Sequence, residues 1–409
     1  MNGKAQNFNG KVYIVGTFDT KKAELLYVRD LIKAAGIPTT LVDVGIRSNE
    51  ATTDIKPAEI ASFHPQGPAA VFMDDRGQAV TGMSVALKQM IQSKSDVAGI
   101  IGLGGSGGTA IITPAMRSLP IGIPKMMVST MASGDVSAYV DSADLFMLNP
   151  ITDVAGLNRV LKRVLANAAH AIVGMVSHAL PDVDDSKPAL GLTMFGVTTP
   201  CVSAISKALE QDYDCLVFHA TGTGGRAMEH LVDAGELSAV IDITTTEVCD
   251  LLFDGVQSAG ETRLDSIARS GLPYVGSCGA LDMVNFRGIE SIPERFKNRN
   301  LYVHNAQVTL MRTTADECAE IGRWIGNKLN ACSGPVEFLL PLKGVSSISV
   351  EGAVFHDSEA DAALFKALLD TVEQTDKRKI TSIDADINDP KFIAAALEAF
   401  SSVNTKTNY

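Results

Sequence analysis

The residues best placed to do chemistry stand at the end of an apolar run. Val97–Leu103 leads into Gly102, Gly104, Gly105, Gly107 and Gly108, with Ser106 among them and Thr109 behind. Glycine permits positive φ and close backbone approach, and the helix expected to start here has N–H groups with no internal acceptor. Such a loop suits an anion such as phosphate. Gly102, Gly104 and Gly107 fit the dinucleotide pattern G-x-G-x-x-G, while Gly104, Ser106 and Gly108 fit the nucleophile elbow G-x-S-x-G. No Lys follows the last glycine, so the P-loop pattern fails. The dinucleotide pattern lacks its acid, because the next strand, Lys125–Val128, ends in Ser129 and Thr130. Nothing downstream singles out a His and a carboxylate for Ser106, which reads better as a hydroxyl bonding phosphate or backbone than as a nucleophile.

A second glycine loop follows Leu216–Ala220. Gly222, Gly224 and Ala227 fit G-x-G-x-x-A, Gly225 and Arg226 lie between, and the next strand ends in Asp242 at the spacing of a ribose-binding acid. Arg226 could instead pair with a phosphate or carboxylate. His219 and His304 each end an expected strand and are the acid/base candidates, with Asp242 as a third group able to move a proton. Thr17 and Asp19, Asp43, Asp74 and Asp75, and Thr244–Glu247 also stand at expected strand ends. In an open parallel sheet these ends form the ligand crevice, although Thr and Asp there also cap helices. Asp19, or Asp74 with Asp75, could hold Mg²⁺ through water beside a triphosphate. No H-x-x-x-H or H-E-x-x-H is present, which argues against a zinc enzyme.

The elements that must carry these loops alternate between strand-length β-branched runs and segments of helical period, the pattern of α/β units on parallel sheets. In the first half, strands are expected at 11–15, 39–44, 69–73, 97–103, 125–128 and 145–148, with a long helix over 154–178. A break at Leu180–Pro188 carries two prolines and three aspartates, and divides the chain into domains 1–185 and 186–409. The second half again opens strand, Gly-x-Thr turn, helix. Further strands are expected near 215–220, 239–243, 274–275, 301–303, 337–340 and 380–383, and helices over 358–375 and 390–400. The expected fold is α/β, two Rossmann-like doubly wound parallel-sheet domains, each with a glycine cluster at a strand end.

Of 409 residues, 46% are hydrophobic, which excludes a disordered chain. Lys+Arg and Asp+Glu number 16 and 17 up to residue 185 but 19 and 30 beyond it, so the net charge of -12 lies almost wholly in the second half. Acidity spread in this way disfavours nucleic acid as a partner while leaving room for a small anionic metabolite. The N-terminus lacks the apolar core of a signal peptide, and no apolar run approaches spanning length. A cytoplasmic protein with no membrane partner is expected, its six separated cysteines reduced.

Taken in order, these motifs resemble a known family, the tomato-mosaic-virus-resistance-protein-like (Tm-one-like) ATP-binding proteins. The resemblance is carried by Val15–Lys21, Asp43–Gly45, Gly102–Thr109, His219–Gly225, Asp242–Glu247, Ala280–Phe286, His304–Asn305 and Pro341–Gly344. It implies a two-domain α/β fold, ATP binding and a homodimer. On that basis ATP with Mg²⁺ is expected in a cleft between the domains. Gly104–Thr109 would cradle phosphates, Thr17 and Asp19 would line the opposite wall, and Gly222–Arg226 would hold more phosphate or an acidic co-substrate. A kinase or ligase of small-molecule metabolism, a non-catalytic ATP sensor, and an NAD(P)-dependent oxidoreductase using the Gly222 loop are the competing functions.

Overall fold

A computed structural model of the chain describes residues 10–47, 52–178 and 187–404. They fall into two compact units, divided between Val183 and Asp184. Most of the Leu180–Pro188 break lies outside the described residues.

In the first unit, β1 (Lys11–Gly16), β2 (Thr39–Asp43), β3 (Val97–Gly104), β4 (Lys125–Ser129) and β5 (Leu145–Leu148) form a parallel sheet in the order β2-β1-β3-β4-β5. These strands read as unbroken apolar runs because helices cover both faces. Tyr13 and Val15 pack under the helices Arg76–Gln92 and Ser106–Arg117. Val12 and Ile14 face the other way, against Phe18–Ala34 and Arg159–Ser177. The winding reverses between β1 and β3, so the loops leaving their carboxyl ends part to opposite faces. A crevice is left between them.

The second unit contains β6 (Ala189–Met194), β7 (Asp214–His219), β8 (Ala239–Thr244) and β9 (Tyr274–Gly279). After them come β10 (Met283–Phe286), β11 (Leu301–Asn305), β12 (Val308–Arg312), β13 (Val336–Pro341) and β14 (Arg378–Ile383). Its parallel sheet has the order β14-β13-β9-β8-β6-β7, while β10-β12-β11 is a separate antiparallel sheet. Both units are thus doubly wound and Rossmann-like, with the same order of their first five parallel strands. The glycine loops are not equivalent within that order. One follows the third strand of its sheet, the other the second.

Three expectations need correction. Residues 69–73 form no strand: Pro68 opens a 3-10 turn over Pro68–Ala70, and Phe72 and Met73 are exposed. Leu301–Val303 belongs to the antiparallel sheet. Its hairpin partner went unseen because the connection, Ala306–Gln307, carries no glycine; the Asn305 side chain instead accepts from the Gln307 N–H at 2.8 Å. The long helix starts at Arg159, not 154, because Gly156 takes φ 82° and Asn158 caps the N–H groups of Val160 and Leu161 at 2.9 Å each. By length and composition this helix, Arg159–Ser177, could cross a membrane, which the sequence reading did not foresee. In this fold its Leu161, Leu165, Ala168, Ile172 and Val176 are core.

Candidate anion-binding site

A cavity of about 440 Å³ lies in the crevice between β1 and β3, lined wholly by the first unit. One wall is the start of helix Ser106–Arg117. Its N-cap, Gly105, supplies no side-chain cap, and the first N–H with an acceptor is that of Thr109, to the Gly105 carbonyl at 2.9 Å. The N–H groups of Ser106, Gly107 and Gly108 therefore have no acceptor within the helix and carry its positive dipole end. None of the five glycines has positive φ, so the reason for glycine expected from the sequence does not hold. At two of them space is the reason. A Cβ on Gly102 would come within 2.7 Å of the Met127 sulfur, and one on Gly104 would lie 3.0 Å from Gly108. Gly107 faces open room, with Arg76 Nη2, at 4.0 Å, its nearest neighbour.

The other wall is the loop after β1. Thr17 and Thr20 share a hydroxyl hydrogen bond of 2.8 Å, Asp19 is exposed, and Lys21 follows. Asp43, at the end of β2, fixes this loop by accepting from the N–H groups of Phe18 and Gly45 at 3.1 and 2.9 Å. Arg47 and Arg76 complete the polar lining, and among the described residues neither guanidinium has a hydrogen-bond or ion-pair partner. The lining thus holds three cationic residues, Lys21, Arg47 and Arg76, and a single carboxylate, Asp19, while Val44, Ile46, Val80 and Ile111 form an apolar side.

The cavity therefore brings together Thr17, Asp19, Gly105, Ser106, Gly107 and Gly108 from the expected set. Gly104 does not line it, and neither does Thr109. Fully buried, Thr109 ties the helix start to β4 through the Gly105 carbonyl at 2.7 Å and the Ser129 hydroxyl at 2.6 Å. Asp75 is occupied as a helix cap, accepting from Gln78 N–H at 2.7 Å. Arg47, Arg76 and Lys21 were missed as ligands. Only Lys21 had a signal, its place in the Val15–Lys21 motif; the two arginines converge from separate elements.

The second glycine loop is closed on itself. Glu247 Oε1 accepts from the N–H groups of Gly222 and Gly225 at 2.6 and 3.0 Å, and Arg226 donates to the Ser258 carbonyl at 3.0 Å. A Cβ on Gly225 would fall 2.0 Å from Glu247 Oε2, and one on Gly224 would fall 1.9 Å from the His219 carbonyl. Gly225 thus makes room for the protein's own carboxylate and Gly224 for the His219 backbone. Asp242, expected to receive ribose hydroxyls or move a proton, is fully buried. It accepts from Thr193 at 2.6 Å, Arg263 at 2.8 Å and Tyr274 at 3.0 Å. Arg263, itself buried, also reaches Glu247 at 2.8 Å and Glu229 at 3.2 Å. Burial raises the Glu247 carboxyl above its ordinary value, with Arg263 opposing. His219 and His304 are both exposed, on β7 and β11, and neither lines the cavity. His219 stands edge-on to Phe195 at 5.3 Å.

Another buried acid has a measurable consequence. Asp282 is wholly enclosed, with the Ser346 hydroxyl donating at 2.8 Å, and burial, only partly offset by Arg312, pushes its pKa up to about 6. Since the folded state then holds the proton more tightly than the unfolded chain, stability from this group is full below about pH 4 and is lost as pH rises through about 6. Urea titrations at pH 4 and 7 should show wild type losing about 2 to 3 kcal/mol more than Asp282→Asn; equal losses would refute the assignment.

The whole described chain matches two family models. Residues 10–181 match the N-terminal domain, and 187–404 the C-terminal domain, of the uncharacterised protein family UPF0261. The chain belongs to the UPF0261 family. A UPF0261 protein of Rhizobium meliloti is 56% identical over 96% of this chain and 99% of its own length. One from Clostridium tetani is 46% identical over 95% and 97%. The tomato (Solanum lycopersicum) ToMV resistance protein Tm-1(GCR237) is 39% identical over 99% of this chain, which spans 57% of that protein. The resemblance read from the motif order thus stands. Among solved structures, a UDP-N-acetylglucosamine 2-epimerase of Rickettsia bellii covers 66% of this UPF0261 chain and 79% of its own, at 11% identity and TM-score 0.24, too loose a likeness to argue from. The UPF0261 cysteines Cys201, Cys249, Cys278, Cys318 and Cys332 are free and buried, and Cys215 is half-buried; burial raises every one of these thiols, Cys201 to about 12.

Proposed function

We propose that the first unit binds a nucleotide by its phosphates, ATP with Mg²⁺, in the cavity between β1 and β3. One observation carries this: bare amides of a helix start line a cavity with Arg47, Arg76 and Lys21 and with a single carboxylate, Asp19. Guanidinium groups suit phosphate oxygens, and uncapped amides add directional donors. Mg²⁺ keeps most of its water and takes one or two carboxylates plus phosphate oxygens, which matches Asp19 beside the Thr17 hydroxyl. Val44, Ile46, Val80 and Ile111 would receive the less polar end of the ligand. The oxidoreductase reading loses its support, because Glu247 occupies the Gly222 loop and Asp242 is inaccessible.

The test is calorimetric titration with ATP, ADP and NAD(H), with and without Mg²⁺. Micromolar ATP binding that weakens about tenfold or more in Arg76→Ala is expected; equal binding by the variant would move the site elsewhere. ADP accumulating in the same samples would mark an ATP-consuming enzyme, and intact ATP a sensor. The homodimer implied by the family resemblance belongs to this proposal and is checked by light scattering with and without ATP.

A further inference from the structure

We propose that Lys21 bridges an anion in this cavity to the segment Pro150–Asn158, so that occupancy rigidifies the approach to helix Arg159–Ser177. The inference rests on the nucleotide reading above. Lys21 lines the cavity, yet its Nζ donates to the Val154 carbonyl at 2.7 Å. An ammonium has three donors, so two remain for a phosphate while the first holds.

The backbone records this double duty. Lys21 is the one residue of helix Phe18–Ala34 with non-helical dihedrals, φ −131° and ψ 20°, although neither neighbour is Gly or Pro. One turn further along the same face, buried Glu24 accepts from the Gly156 N–H at 2.5 Å, and beyond it the Tyr27 hydroxyl donates to the Lys162 carbonyl at 3.4 Å. The helix that opens at the cavity is therefore latched stepwise onto the segment and the first turn of the helix it leads into.

The segment itself is strained. Ile151 takes φ 67°, a conformation β-branched residues avoid, and Thr152 is held by its N–H to the Pro150 carbonyl at 2.8 Å and by Asn158 Nδ2 at 3.1 Å. Strain at Ile151 favours opening of this segment against its polar fastenings and the buried Val154, and an added charge on one fastening opposes that opening.

Residue-resolved amide exchange tests this, with MgATP and sodium tripolyphosphate as probes. In wild type, saturating ligand should slow exchange several-fold at Ser106–Gly108 and also at Thr152 and Gly156. In Lys21→Met the ligand should bind about tenfold more weakly and, at saturation, still protect Ser106–Gly108 but no longer Thr152 or Gly156. Lys21→Arg should restore both. Wild type protected only at the helix start, or Lys21→Met protected at both places, would overturn the bridge while leaving the nucleotide reading intact. No protection anywhere in wild type would overturn both.

Discussion

Gly107→Asp should abolish nucleotide binding while leaving the protein folded. The position has room for a side chain, its nearest neighbour being the Arg76 guanidinium 4.0 Å from the Cβ site. An aspartate there would sit over the uncommitted amides and pair with Arg76, occupying by covalent attachment the place a phosphate would take. The second unit shows the same arrangement already realised, with Glu247 bonded to the amides of Gly222 and Gly225. Like charge set against a phosphate costs several kcal/mol, so a loss of about 100-fold or more in affinity is expected by calorimetry. An acid in the first turn of a helix adds about 0.3 to 1 kcal/mol of stability, so Tm should hold or rise. Gly107→Ala adds only a methyl group into open space and should bind within a few-fold of wild type. If Gly107→Asp binds ATP normally, the helix start is not the phosphate site.

The largest effect on stability is expected from Arg263→Met. Its guanidinium is buried and is the cation shared by Asp242, Glu229 and Glu247. A buried ion pair adds little over a well-packed apolar core, but removing one partner leaves charge uncompensated and costs about 3 to 5 kcal/mol. Here one cation answers three acids, so the loss should reach at least the upper end of that range. Urea denaturation should show a variant that barely folds at pH 7. Adding Glu247→Gln and Glu229→Gln to Arg263→Met should recover part of the loss, since fewer carboxylates are left buried without a cation. A single variant within 1 kcal/mol of wild type would mean that the cluster is neutralised in some other way.

The open loop and its strand were legible because the signal is local. β3 is one unbroken apolar run, Gly105–Gly108 follow it directly, and the strand feeds a helix, so period and composition suffice. Asp242 misled for the opposite reason. Its spacing from Gly222 fits a ribose acid, yet whether a strand-end carboxylate faces solvent or Arg263 depends on a residue 21 positions away. Glu247 lies 22 residues beyond Gly225, and nothing near either announces that one fills the other. Arg47 and Arg76 meet the glycines only through tertiary packing. The hairpin of β11 and β12 was lost because its turn is built by an Asn305 side chain instead of by glycine.

The shared strand order of the two units has a consequence for counting. In the first unit the loop after the third strand offers bare amides, and Arg47 stands near them on the loop after the second. In the second unit the relation is inverted: the loop after the third strand supplies an acid, Glu247, and the loop after the second supplies the amides. Two folds wound alike thus hold one uncapped loop and one loop filled by its own carboxylate. A titration of phosphate-bearing ligand should therefore saturate at one equivalent per chain rather than two, and Glu247→Ala is the change that could raise that number.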